Sequence, residues 1–453
     1  MTTHFQTLGR RFAGLRLTCL LGTLVAWQAC AQTTRTVPTE FPTIQEAIQA
    51  SQDGDTVRVL PGVYQVFIIT LNKSIRLMSR FEETGDESYI RDTVISGCAG
   101  VQVIAVENFE VMHPISPTIS GFTITNGTAG VSVYVDVRYC CPDATTSVTV
   151  QNNIITGNGT GVWLRSYASF VWDDLLAAYA PIQCMLSNNI FMANGGPAVS
   201  IDSRGDAIET YHYGQFEQHY RFASVDCTIL KSIMSSNASI VEAVAGREAS
   251  VALRMLNCTC YNSGANPLKI SCDPEGPYTR MDADLLNTLI WNPDGAPYRL
   301  AVSTNATFRC EHSLIGDEQG RPLSGAGNLF ADPGFVDPGL GAFALQTNSP
   351  CIDAGATNSA LGIVNYNGLA PDVGAIEYAL PMRPILSDWQ HAGDAFKVLL
   401  TTQRGRVHRL LYRDALGSGD WTAADAIAGD GGHVTLTDDH AAGQRRYYKV
   451  VVE

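Results

Sequence analysis

Residues 118–135 read TISGFTITNGTAGVSVYV, and residues 147–164 read SVTVQNNIITGNGTGVWL. Each has a short run of alternating apolar residues, an Asn- and Gly-rich turn, and a second alternating run. Alternation puts one set of side chains on a single face of a strand, and Asn and Gly supply the positive-φ corner that turns the chain sharply. A unit of this size has nothing to bury its own apolar face against. Stacked copies do, because each covers the next at the ~4.8 Å spacing of paired strands. The theme recurs with decay as NNIFMANGG (188–196), KSIMSSNAS (231–239), LNCTCYNSG (256–264), LNTLIWNPDG (286–295) and EHSLIGD (311–317). With Asn126, Asn158, Asn194, Asn237, Asn262 and Asn292 as turn markers, the interval runs from 25 to 43 residues. That drift suits solenoid coils with insertions of different length, not a fixed-period helical repeat. A β-sandwich with Asn-Gly hairpins is the competing reading, but sandwich strands seldom repeat one motif so often.

Upstream, TVPTEFPTIQEAIQASQDGDTVRVLPGVYQ (36–65) places Ile44, Ala47 and Ile48 on one face of a short helix after Pro42-Thr43. The helix stops before Asp53-Gly54-Asp55, Thr56 to Val59 opens a strand, and Pro61-Gly62 turns the chain. Such a helix would cap the open end of the first coil. Downstream of a Pro-rich linker (380–386), AFKVLLTT, HRLLYRD, WTAADAI, HVTLTD and RRYYKVVVE are short alternating segments between Gly and Asp turns, as in a small β-sandwich (387–453).

The run PTIQEAIQASQDGDTVRVLPGVY resembles the start of the pectin-lyase-like superfamily of right-handed parallel β-helix proteins, and LNKSIRLMSR (71–80), TVISG (93–97) and ISGFTITNG (119–127) resemble its first coils. NLFADPGFVDPGLGAFALQTNSPCIDAG (328–355) and PDVGAIEY (371–378) are similar to the closing segment of exported bacterial members. The resemblance implies an all-β, right-handed parallel β-helix over 36–379 with an N-terminal helical cap. The final module resembles the fibronectin-III-like domains of secreted bacterial proteins. The superfamily's activities differ widely, so function has to come from a site. The polygalacturonase branch joins an Asp-Asp pair to Gly-His-Gly and Arg-Ile-Lys motifs; here Asp173-Asp174 stands without the other two, and the Arg-x-Pro-x-x-Arg motif of pectate lyases is missing.

Residues 1–31 read as a secretory signal: Arg10, Arg11 and Arg16 precede an apolar stretch from Leu17 to Trp27, and Ala29-Cys30-Ala31 offers a cleavage site. A secreted or cell-surface monomer is expected. Charged residues make up only 16% of the 453, and the formal charge is −14. An acidic surface repels nucleic acid and anionic lipid, so neither is expected as a partner. Outside the signal stand ten of the twelve cysteines, an even number that favours disulfides in an oxidising compartment, although inward cysteines also serve as small core residues. No Cys-x-x-Cys pair or His spacing points to zinc.

Two insertions break the rhythm: RSYASFVWDDLLAAYAP (165–181) and DSRGDAIETYHYGQFEQHYRF (202–222). Both follow outgoing strands of successive coils, so stacking sets them on one flank. That gathers Trp172, Tyr211, Tyr213 and Tyr220 with Arg165 and Arg221 as a glycan-binding set, beside Asp173, Asp174, Asp202, Asp206 and Glu209. Aromatic rings stack on the apolar faces of pyranoses and carboxylates accept hydroxyl hydrogen bonds. A hydrolase would take two of these carboxylates as acid and base or nucleophile, whereas a lyase would need a base and a cation, for which Asp pairs could hold Ca²⁺. Against catalysis, Asp173-Asp174 also reads as the N-cap of a short helix. The expected function is polysaccharide binding, with cleavage as its extension. The alternative is a non-enzymatic surface or adhesion protein with the solenoid as a rigid spacer.

Overall fold

The computed structural model describes residues 32–108, 113–136, 145–168, 177–212, 215–264, 266–273, 276, 278–293, 300–317, 319–361, 363, 366–378, 385–402, 406–415, 420–429, 432–441 and 445–452; for 177–178, 206–221 and 385 it describes the backbone alone. Three sheets run the length of a right-handed β-helix, the first of ten parallel strands with Asp206–His212 added antiparallel as an eleventh, and the second and third of eight parallel strands each. Each complete coil supplies one strand to each sheet. In one coil Thr146–Gln151 lies in the first sheet, Ile154–Thr156 in the third and Thr160–Tyr167 in the second. The next coil stacks in register, with Val148 against Cys184, Ile155 against Phe191 and Val162 against Val199. Alternation does what the sequence requires of it. In Thr160–Tyr167, Val162, Leu164 and Ser166 point inward and are buried, while Trp163, Arg165 and Tyr167 point outward. Each fully buried Leu, Ile or Val contributes about 1.5–3 kcal/mol, and one core cluster runs from Val37 to Ile315.

The corners explain the Asn-rich repeats, with one correction. Between the first and third sheets the chain turns on a residue at positive φ, namely Asn152, Asn188, Lys231, Asn257, Asn287 or His312. The next residue in each case is buried: Asn153, Asn189, Ser232, Cys258, Thr288 or Ser313. Asn158, Asn194 and Asn237, expected as positive-φ turn residues, are also buried, and the strain falls one position earlier, on Gly157, Ala193 and Ser236. Their amides form an internal ladder. Asn158 Nδ2 donates to Ile124 O at 3.0 Å, Asn194 Nδ2 to Asn237 Oδ1 at 2.8 Å, and Asn237 Nδ2 to Phe191 O at 3.0 Å. An amide both donates and accepts, so it satisfies main-chain groups that a turn strands away from water. Asn126 and Asn262 do adopt positive φ.

The helix Ile44–Ala50 caps the stack, burying Ile44, Ala47 and Ile48. Thr43 caps its N-terminus, and Lys73 Nζ donates to Ile48 O, Gln49 O and Ser51 O at 3.1, 2.9 and 2.7 Å. At the far end an antiparallel hairpin, Phe335–Asp337 with Ala342–Leu345, packs Phe335 and Phe343 on Tyr261, on the outside of the third sheet. The strand Ile385–Ala392 begins within the span read as linker and adds a sixth strand to the C-terminal module. That module is two three-stranded antiparallel sheets around Val398, Leu400, Leu410 and Leu436.

The expectation of disulfides is corrected for the described cysteines. Cys98, Cys184, Cys227, Cys258, Cys260, Cys272, Cys310 and Cys351 are all free thiols, and all but Cys98 are buried. The reason is positional: Cys184 and Cys227 are inward register partners in the core, and Cys258 Sγ donates to Ile229 O and Leu256 O, filling the place an Asn holds in earlier coils. Cys140, Cys141 and the signal segment lie outside the described residues.

Candidate functional site

The insertion that carries the strand Asp206–His212 leaves the stack where the second-sheet strand Pro197–Arg204 ends, so it borders the outer face of that sheet. Three strands build it: Ala129–Asp136, Thr160–Tyr167 and Pro197–Arg204. Register aligns Ser132, Trp163 and Ser200 in one row, Tyr134, Arg165 and Asp202 in the next, and Asp136, Tyr167 and Arg204 in a third.

Across these rows runs a continuous network. The Tyr134 hydroxyl donates to Asp136 Oδ2 at 2.7 Å, and its ring meets Tyr167 edge-on with centroids 5.8 Å apart. The Tyr167 hydroxyl donates to Asp202 Oδ2 at 2.6 Å, while Arg204 Nε donates to Asp202 Oδ1 at 2.7 Å. Burial, reinforced by the Asp202 carboxylate, pushes the Tyr167 phenol up to about 12, so it keeps its proton at neutral pH and serves as a donor, not a base. The Arg165 guanidinium lies 4.1 Å from the Trp163 ring centroid and 4.8 Å from that of Tyr134, and donates to Ser132 Oγ at 3.2 Å. Such stacking fixes the cation and the rings together. Serines flank Trp163 in the coils above and below, and the indole is half-buried under the Arg165 guanidinium.

Of the residues singled out from sequence, Arg165 and Asp202 are brought together here as register partners. Asp206, Glu209 and Tyr211 lie on the outgoing strand of an antiparallel hairpin, Asp206–His212, and Tyr220 and Arg221 on its return, with Asp206 opposite Arg221. Trp172, Asp173, Asp174 and Tyr213 lie outside the described residues. The sequence reading passed over Tyr134, Trp163 and Tyr167, as well as a stack just across the insertion corner: Tyr179 on Phe222 at 5.9 Å, with Phe222 edge-on to Tyr278 at 5.5 Å. The available signal was bulk at one position: Trp163 stands where the neighbouring coils hold Ser132 and Ser200. Among the described residues no group of three or more His, Cys, Asp or Glu side chains could hold a metal ion.

No family model matches this chain, and no curated protein matches it.

Proposed function

We propose that the outer face of the second sheet binds a glycan chain, with Trp163 and Tyr167 as stacking platforms and Arg165, Asp202 and Arg204 as hydrogen-bonding partners for hydroxyl groups. A place among exported pectin-lyase-like β-helix proteins fits this reading. The observation that carries it is the outward-facing, half-buried Trp163 indole, stacked on Arg165 beside a preorganised polar network. Preorganised aromatic and polar groups lower the entropic cost of binding. Recognition is favoured over cleavage because both Asp202 oxygens are already engaged, one by a phenol and one by a guanidinium, which leaves this carboxylate ill suited to act as an acid or nucleophile. The test is native affinity electrophoresis in gels cast with xylan, β-glucan, galactomannan or pectin. Trp163→Ala should weaken binding on the order of thirtyfold, the usual scale for a buried aromatic anchor. Unchanged retention of both Trp163→Ala and Asp202→Ala would reject the site.

A further inference from the structure

The chain carries a formal charge of −14, yet one face of its C-terminal module is basic. The sheet of Val407–Arg413, Thr422–Ala428 and Tyr447–Val452 turns His408 and Leu410 into the sandwich, where both are buried, so alternation points Leu411 and Arg413 outward. On the neighbouring strand Tyr448 faces inward, stacked on Phe396 with centroids 3.9 Å apart, so Tyr447, Lys449 and Val451 face out. Register sets Arg413 opposite Tyr447 and Leu411 opposite Lys449, which makes Lys449 the diagonal neighbour of Arg413. Asp425 is the one carboxylate on these strands. It lies opposite the inward Leu410 and accepts from the Thr437 amide of the other sheet at 2.9 Å.

On the outward side two cations converge. Arg413 Cζ and Lys449 Nζ each lie 4.5 Å from the centroid of the Trp421 ring, and Arg445 Cζ lies 5.4 Å from that of Tyr447. The negative faces of the rings offset the repulsion between like charges and fix where they stand. Among the described residues no carboxylate forms an ion pair with Arg413, Arg445 or Lys449, and Asp414, next in sequence to Arg413, is taken by Arg446 Nε at 3.3 Å. An anion seated between Arg413 and Lys449 would remove the repulsion that gathering them creates, and a guanidinium meets an oxyanion with paired donors. Arg445 precedes Tyr447 on the side away from Lys449, so the charges are strung out along the strand and suit a linear polyanion. Single-stranded nucleic acid would have to displace the cations from Trp421 and Tyr447 to stack its bases there. A lipid surface would require apolar side chains to insert, and those of this face, Leu411 and Val451, are half-buried.

We propose that Arg413, Lys449 and Arg445 bind an acidic polysaccharide through its carboxylate or sulfate groups, independently of the second-sheet face. The test uses the full chain in native gels cast with alginate, dextran sulfate or neutral dextran. Alginate supplies carboxylates and dextran sulfate supplies sulfates, so whichever retards the chain identifies the group bound. Retardation should be present at about 50 mM salt and lost at about 500 mM, where charges are screened within a few ångströms. Arg413→Gln and Lys449→Gln should each weaken binding about fivefold, and Arg445→Gln about threefold, with thermal unfolding unchanged. Arg445 lies outside the three strands, so its variant keeps the test open should a strand variant unfold. Trp163→Ala should leave this binding intact, which separates failure of this site from failure of the first. The proposal is overturned if neither acidic gel retards the chain, if neutral dextran retards it equally, or if the Arg413→Gln/Lys449→Gln double variant is retained as wild type is. It is also overturned if a single-stranded oligonucleotide or phosphatidylglycerol vesicles bind this face more tightly than either polysaccharide.

Discussion

Replacing Asn194 with alanine tests the internal amide ladder where it is most continuous. Asn194 is 2% exposed. Its Oδ1 accepts from the Asn158 amide at 3.1 Å and from Asn158 Nδ2 at 3.3 Å, while its Nδ2 donates to Ile155 O at 3.1 Å and Asn237 Oδ1 at 2.8 Å. Asn158 Nδ2 retains Ile124 O and Thr156 O, and Asn237 Oδ1 retains the Asn194 amide, so those groups stay paired. The Asn158 main-chain N–H does not. Stranding one buried donor costs about 1–3 kcal/mol and each of the other three lost bonds about 1 kcal/mol more, which sums to about 4–6 kcal/mol. That is a large share of the about 5–15 kcal/mol by which domains are stable. Asn194→Ser should lose about half as much, because Ser232 already accepts from the Asn189 amide at 3.3 Å in the parallel ladder. Urea unfolding followed by far-ultraviolet circular dichroism reads the midpoint, with exposed Gln183→Ala as a control expected within about 0.5 kcal/mol of wild type. A loss below about 1 kcal/mol for Asn194→Ala, or a serine no better than alanine, would refute the reasoning.

Burial next to Asp372 raises Glu377 to about 7. The folded chain then holds a proton that the unfolded chain releases near pH 4.5, so stability falls as pH rises from 4.5 to 7 and the whole penalty is present above 7. Discounted for partial exposure, Glu377→Gln should gain about 1–2 kcal/mol at pH 8 and flatten that slope in thermal melts, and an unchanged slope would count against it. Asp202→Asn removes the charge that helps hold the Tyr167 proton, so near-ultraviolet titration should show one phenol moving down from about 12, and a superimposable curve would sever the pair. Alkylation without reductant, mapped by mass spectrometry, should label Cys184 and Cys227 in urea but not in native buffer. A Cys184–Cys227 crosslink would contradict their assignment as core thiols.

The fold was legible because alternation and turn chemistry agree over many coils, from Thr118 through Leu289, and a stacked solenoid is the economical way to bury repeated small faces. The ladder was misread because Asn is usually exposed. The residue under backbone strain is its predecessor, and sequence does not say which of two neighbours turns inward. Arg165 and Asp202 were legible from their position beside insertions. Tyr134, Trp163 and Tyr167 were not, since a period of two marks two faces without telling which faces solvent. The thiols show the same ambiguity: an even count fits disulfides and core packing alike until register sets Cys184 beside Cys227 on the inner wall.

From the third coil onward the corner between the first and third sheets is a two-residue turn tied by side chains to its neighbours above and below. The corner leading out of the second sheet instead takes connections that range from the three residues between Ala245 and Ala249 to an entire hairpin. The hairpin of residues 206–221 can therefore lengthen, shrink or be exchanged between homologous chains without disturbing the register of any coil. Grafting there would change what this surface recognises while the scaffold beneath stays as it is.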